Sequence, residues 1–366
     1  MLVLLFYYFS SMDNKDSYFV IGVMSGTSLD GIDLCYAQFE FSNTWTFKIL
    51  KSETIPYSND WIKKLKNAIS FDGIAVVLLN EDYTDYLGKV INRFIETKQI
   101  KLIDAVCSHG HTIFHQPENQ YTLQIGNLAK IASIIGQTVV CDFRIQDVAF
   151  GGEGAPLVPI GDKLLFNEFD FCLNLGGFAN ASYEFNNQRI AYDICPVNIV
   201  LNHYVKILGF DYDDKGEIAL SGTVNQALLN ALNDLEFYKK GHPKSLGLEW
   251  VQSEIIPLID AFNLEIKNIL RTFVEHAAFQ IAQEINKLGI VKLFFTGGGV
   301  YNLLLIERIV DYSKSEITIP SKEIIEYKEA LIFGLLGILK LRNEVNCLSS
   351  VTGAKVNHSS GEIFLP

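Results

Sequence analysis

Two apolar runs, each closed by a glycine-rich turn and answered by a second strand-like run, fix most of what this chain can fold into. Tyr18–Met24 ends in Ser25-Gly26-Thr27-Ser28-Leu29-Asp30-Gly31 before Ile32–Phe41. Phe171–Leu175 ends in Gly176-Gly177-Phe178-Ala179-Asn180 before Ala181–Phe185. Gly22 and Gly176 stand 154 positions apart. Further strands are expected at 46–54, 105–108, 122–126, 138–142 and 291–296, and helical periodicity predicts helices over 60–69, 80–97, 256–288 and 326–341. Alternation of this kind specifies an α/β chain. Two related halves, each presenting a glycine hairpin and facing the other across a cleft able to close on a nucleotide, satisfy the pattern most economically. The break Phe150-Gly151-Gly152-Glu153-Gly154-Ala155-Pro156 marks the expected junction. It divides the chain into an N-terminal domain over 18–148, which 350–366 would complete, and a C-terminal domain over 149–349.

The length of 366 residues suits two domains. With 30 Lys and Arg against 42 Asp and Glu, the formal charge of −12 argues against a nucleic-acid partner. Anionic small molecules stay admissible, because backbone N–H groups at Gly-rich turns hold phosphates regardless of net charge. An apolar fraction of 49% excludes a disordered chain. The opening Met-Leu-Val-Leu-Leu-Phe-Tyr-Tyr-Phe-Ser is too short to span a membrane, which takes about 20 residues, and lacks the charged region of a signal peptide. Residues 1–17 therefore read as a dispensable leader or a misassigned start. The six cysteines show no C-x-x-C spacing, so neither disulfides nor zinc is expected, and the chain reads as cytoplasmic with no membrane partner.

Four motifs carry chemistry. In the first turn, glycines allow close approach to phosphate, hydroxyls add donors and an Asp can hold Mg²⁺ through water; a plain Asp-Gly hairpin is the bland alternative. Ser108-His109-Gly110-His111-Thr112 with His115 reads as a loop leaving a strand. It suits recognition of sugar hydroxyls or structural capping, and no carboxylate or cysteine in the run completes a metal set. Asp142 and Arg144 end a buried strand and suit a bidentate grip on a carboxylate or a structural ion pair. Asp193, after the strand 189–192, suits a general base or a helix cap.

These blocks resemble the anhydro-N-acetylmuramic acid kinase family, within the sugar kinase/Hsp70/actin superfamily. The similar stretches are M-S-G-T-S-L-D-G-I-D (24–33), S-H-G-H-T-x-x-H-x-P (108–117), T-L-Q-I-G (122–126), D-F-R-x-x-D (142–147) and G-G-E-G-A-P-L-V-P (151–159). N-L-G-G-F-A-N (174–180), P-K-S-L-G (243–247), T-G-G-G-V-Y-N (296–302), E-A (329–330) and S-V-T-G-A (350–354) follow in family order. The resemblance implies two RNase H-like domains of the actin/sugar-kinase type flanking an interdomain cleft. It implies an enzyme of cell-wall recycling that uses ATP and Mg²⁺ to hydrolyse and 6-O-phosphorylate 1,6-anhydro-N-acetylmuramic acid, giving N-acetylmuramic acid 6-phosphate and ADP; a homodimer is admissible. By position, Asp193 is the base. Gly26, Thr27, Ser28, Leu29, Asp30, Gly31, Ile32 and Asp33 form the phosphate hairpin, with Asp30 toward the metal. Gly176, Gly177, Asn180, Gly297, Gly298 and Gly299 meet the nucleotide. His109, Thr112, Asp142, Arg144 and Glu329 meet the sugar.

One stretch departs from the family. Where it usually reads D-T-G-P-G-N, this chain has Asp193-Ile194-Cys195-Pro196-Val197-Asn198. If the missing glycines serve a positive φ or close approach of phosphate, Cys195 and Val197 should hinder both. His111 stands where the family usually has Gln. Two other readings follow: a degenerate kinase that binds nucleotide or sugar without turnover, and a kinase for another sugar or a carboxylate such as acetate.

Overall fold

The computed structural model describes residues 15–26, 28–289 and 291–366. The leader up to residue 14, and Thr27, lie outside the described residues. Twelve strands are labelled in chain order among them: β1 (Ser17–Ser25), β2 (Gly31–Phe41), β3 (Trp45–Pro56), β4 (Ala105–Gln116), β5 (Tyr121–Ile125), β6 (Val139–Cys141), β7 (Phe171–Leu175), β8 (Phe178–Phe185), β9 (Gln188–Pro196), β10 (Leu293–Thr296), β11 (Ile317–Thr318) and β12 (Glu362–Phe364).

They form two sheets. In the first, β3, β2 and β1 make an antiparallel meander, β4 and β6 continue parallel to β1, β12 closes the far edge, and β5 hangs antiparallel on β4. In the second, β9, β8 and β7 repeat the meander and β10 and β11 continue parallel to β7. Both thus run three-two-one-four-five, the RNase H-like order, and the expected mixed α/β fold class stands.

The chain divides into one unit of residues up to Leu165 together with Tyr327–Pro366, and a second of Phe166–Glu326. The switch lies after the Gly-rich break, not at it. Asp147 holds that break in the first unit: its Oδ2 accepts from Gly154 N at 2.7 Å, while its carbonyl accepts from Gly152 N at 2.9 Å. The return comes at Tyr327 rather than 350, because the helix Lys322–Leu341 packs on β1. A Cβ on Gly22 would fall 1.8 Å from Ala330 O, so only glycine lets the helix approach so closely.

On the other side of the first sheet, Gly73–Lys98 supplies Leu79, Tyr83, Leu87 and Ile91 to the core. Asp72 starts this helix by accepting from Ala75 N at 2.8 Å. The second core gathers around Ile266–Asn286, which is buried along most of its length. The helix expected over 256–288 is broken at 261–265, where Asn263 takes φ 48°, a local turn that the apolar pattern hides. No helix among the described residues is long and apolar enough to cross a membrane.

Candidate active site

In the first unit, the turn between β1 and β2 tightens through Leu29 N donating to Gly26 O at 3.4 Å, with Leu29 itself at φ 62°. Ser28 Oγ donates to Asp30 Oδ1 at 2.7 Å, and both residues are exposed at the tip. An exposed carboxylate oriented by a hydroxyl fits a hydrated divalent ion, which keeps several of its waters. Two of the hairpin candidates face elsewhere. Ile32 is fully buried in the core, as its place in a strand demands, and Asp33 Oδ1 accepts from Thr54 Oγ1 at 2.6 Å.

Beneath the hairpin lies a polar knot that sequence reasoning missed. Ser25 Oγ sits 2.8 Å from Tyr83 OH and 2.9 Å from His111 Nδ1, and Tyr57 OH bonds both Ser25 and Tyr83. Burial drives His111 down to about 4 and Tyr57 up to about 12, so both stay neutral. These groups come from β1, β4, the connection after β3 and the helix Gly73–Lys98, and no short motif joins them.

The Ser108–His115 segment is strand, not loop: it continues β4, where His111, Thr112 and His115 pair with Ile125, Gln124 and Thr122 of β5. His109 is 4% exposed with both ring nitrogens engaged. Its Nδ1 lies 2.8 Å from Gly110 O, which only accepts, and its Nε2 accepts from Arg144 Nε at 2.9 Å. Burial first, and the Arg144 charge second, hold it well below the usual histidine range. His109 therefore orients Arg144 and leaves no nitrogen for a sugar. Arg144 Nη1 also donates to Gly154 O at 2.6 Å; burial lowers the guanidinium to about 10, still charged at neutral pH.

Asp142 follows β6 at φ 59°, and burial with the Glu362 charge raises its carboxyl to about 6. Glu329 is exposed as a residue, yet the protein crowded around it raises it above the usual glutamate value, with Lys328 and Arg144 pulling the other way. Thr112 Oγ1 accepts from Gln124 Nε2 at 3.4 Å, and Gln124 Oε1 is buried without a hydrogen-bond partner.

In the second unit, Asp193 lies inside β9 rather than after its end. The β8–β9 register shifts between Ala179 and Asn180, which pair with Cys195 and Asp193, so Ile194 forms a bulge. Bulges re-aim the side chains beside them, and here Tyr192, Ile194 and Cys195 stay in the core while Asp193 is only half-buried. Asp193 N donates to Lys244 O at 3.1 Å, and Leu246 N donates to Asp193 Oδ2 at 2.8 Å. Desolvation raises the carboxyl and the Leu246 bond lowers it, leaving a net rise. The P-K-S-L-G segment is therefore the clamp on Asp193, a role its residues alone did not disclose.

Asn180 likewise sits in a strand, opposite both Asn174 and Asp193, and the turn proper is Gly176-Gly177. Val197 N donates to Gly177 O at 2.8 Å and Asn198 N to Gly176 O at 3.3 Å. Val197 runs at φ −132° with its side chain fully buried, and Cys195 Sγ faces Ala277 O at 3.9 Å. Neither bulky residue takes up a positive φ: Cys195 and Val197 are both buried and fill the core. Gly297 does need its freedom, at φ 82° with a Cβ position 2.5 Å from Asn174 Oδ1, while Gly298 is exposed and Gly299 buried.

Comparison with known proteins agrees with these motifs. The family model described as Anhydro-N-acetylmuramic acid kinase matches residues 18–366. Proteins named anhydro-N-acetylmuramic acid kinase are similar along their length: from Haemophilus influenzae, 32% identical over 96% of this chain and 99% of that one; from Sulfurimonas denitrificans, 32% over 95% and 100%; and from Pseudomonas fluorescens, 34% over 94% and 98%. Among solved structures, component A of (R)-2-hydroxyglutaryl-CoA dehydratase from Acidaminococcus fermentans superposes with TM-score 0.48 at 12% identity, over 88% of this chain and 99% of that one. A ROK family glucokinase from Streptomyces griseus, in complex with glucose and AMPPNP, gives 0.39 at 11%, over 87% and 99%. With the family's motifs in order from Met24 to Ala354 and its model matched over 349 of 366 residues, the chain belongs to the anhydro-N-acetylmuramic acid kinase family.

Proposed function

We propose that this enzyme hydrolyses the anhydro ring of 1,6-anhydro-N-acetylmuramic acid and phosphorylates the freed O6 with ATP, giving N-acetylmuramic acid 6-phosphate and ADP. The observation that carries the reading is Asp193, a half-buried carboxyl raised by its surroundings and held by a backbone N–H. Such a group is a competent base near neutral pH. It takes a proton from water as that water attacks the anomeric carbon. The C1–O6 bond breaks, O6 accepts the γ-phosphoryl, and the bond to the β-phosphate breaks to release ADP.

Arg144, kept charged and oriented by His109 and Gly154, meets the lactyl carboxylate. Thr112, Asp142 and Glu329 meet sugar hydroxyls. Gly26 to Gly31 offer backbone donors to phosphate, and Gly176, Gly177, Asn180 and Gly297 to Gly299 line the nucleotide. Asp30, oriented by Ser28, is the residue to hold Mg²⁺, which offsets phosphate charge when bound.

The test is ADP release from Mg²⁺-ATP with and without the anhydro sugar. Sugar-dependent ADP and a 6-phosphate product are expected. ATP binding with no ADP under any condition would establish a binding module instead; ADP with plain N-acetylmuramic acid or acetate but not the anhydro sugar would overturn the substrate. Light scattering on the same preparation tests the homodimer.

A further inference from the structure

Asp147, Cys347 and His358 meet in the interior of the first unit, from chain segments about 200 residues apart in sequence. They are 0%, 2% and 6% exposed. Cys347 and His358 face each other across an antiparallel bridge, Cys347 N donating to His358 O at 3.1 Å and His358 N to Cys347 O at 3.2 Å. Asp147 comes from the helix Ile145–Ala149, three residues after Arg144. A carboxylate oxygen, Sγ and an imidazole nitrogen lie within 4.8 Å of one another.

The hydrogen bonding around His358 leaves a gap in this group. His358 Nδ1 is 3.0 Å from Val356 O, a group that only accepts, so Nδ1 carries a ring proton. His358 Nε2 faces Asp147 Oδ1 at 3.5 Å and has no hydrogen-bond partner. Without a proton, Nε2 is a lone pair turned on a carboxylate in a dry interior, an arrangement that costs free energy unless something positive stands between them. The Asp147 carboxylate is already oriented: Thr352 Oγ1 donates to Oδ1 at 2.7 Å and Gly154 N to Oδ2 at 2.7 Å. Phe150 packs edge-on against the imidazole at 4.9 Å and fixes its plane. Ligands held by outer hydrogen bonds are what a tight metal site requires.

We propose that Asp147, Cys347 and His358 bind one zinc ion, a structural site that fastens the C-terminal bridge to the segment bearing Arg144. One carboxylate, one thiolate and one imidazole suit zinc, and a tetrahedron with Zn–N near 2.0 Å and Zn–S near 2.3 Å sets ligands about 3.3–3.7 Å apart. The Nε2–Oδ1 separation already falls in that range. The three side chains supply three of the four tetrahedral positions. Burial holds the thiol up at about 12, so binding releases its proton to solvent and tightens as pH rises.

The test needs no substrate. Full-length protein stripped of metal and dialysed against Zn²⁺ is expected to retain one equivalent by mass spectrometry. With Co²⁺ it should show a thiolate-to-metal charge-transfer band in the near ultraviolet. Cys347→Ala and His358→Gln should each weaken Zn²⁺ binding about 100-fold or more, whereas Cys172→Ala, in the second unit, should leave it unchanged. Zn²⁺ should raise the thermal midpoint of the wild type and of Cys172→Ala only. Wild-type protein that takes up neither metal at micromolar concentration would overturn the site. So would undiminished binding in both ligand variants. Should Cys347→Ala fail to fold, the cobalt band of the wild type and His358→Gln still decide.

Discussion

Arg144 Nε donates to His109 Nε2 across 2.9 Å, and with Nδ1 committed to Gly110 O that bond leaves the buried ring a single neutral tautomer. The histidine acts as an acceptor that aims a guanidinium. His109→Phe keeps the volume and removes the acceptor, so KM for the sugar should rise about 10-fold while KM for ATP stays unchanged. Steady-state kinetics with each substrate varied checks this. An unchanged sugar KM would remove Arg144 from the carboxylate subsite.

Asp193→Asn preserves an acceptor for Leu246 N and deletes the base. ATP binding by calorimetry should be retained while turnover falls about 100-fold or more. Because surroundings raise the Asp193 carboxyl, the acid limb of the wild-type rate profile should lie above the ordinary aspartate value of about 3.9. Retained turnover in Asp193→Asn would refute the assignment.

Asp142 carries its own pH signature. With the folded carboxyl at about 6 and the unfolded one near 3.9, the native state binds more protons between those values. Its contribution to stability is thus full below about 4 and is lost as pH rises through 6. Asp142→Asn, which cannot ionise, should melt higher than the wild type at pH 8, with the gap closing toward pH 5. Thermal unfolding at the two pH values measures it; a gap that widens toward acid would reverse the sign.

Val197→Gly puts back a family glycine. Since Val197 is buried at a negative φ, the change opens a cavity and loosens the unfolded chain, costing about 2–4 kcal/mol. Urea unfolding should register that loss and kinetics should show no faster turnover. A faster variant would mean that the bulk does obstruct phosphate.

Much of this was readable before any coordinates. β1 and β7 are mostly apolar runs and β2 keeps apolar residues between Asp33, Gln38 and Glu40, all beside glycine turns, so their pattern announces them, and Gly297 stands where a strand must turn sharply. β4 was legible only as far as Ser108, because His109 and His111 are polar residues whose partners, Arg144 and Ser25, lie far along the chain. The aim of Asp193 depends on the bulge at Ile194 and on Leu246, both products of pairing rather than of local preference. Asp142 and Arg144 could be picked out as a pair by adjacency, but not the histidine that sets the arginine. Asp147, Cys347 and His358 are invisible to spacing rules, since only the folded first unit makes them neighbours.

The first unit borrows its closing elements from the end of the chain: Lys322–Leu341 covers β1, and β12 pairs with β6. The second unit is continuous from Phe166 to Glu326. During synthesis, then, the later-encoded unit can finish first. The N-terminal sheet must wait, one face and one edge uncovered, until the final forty residues have been made, and that interval is when the protein is most open to misassociation.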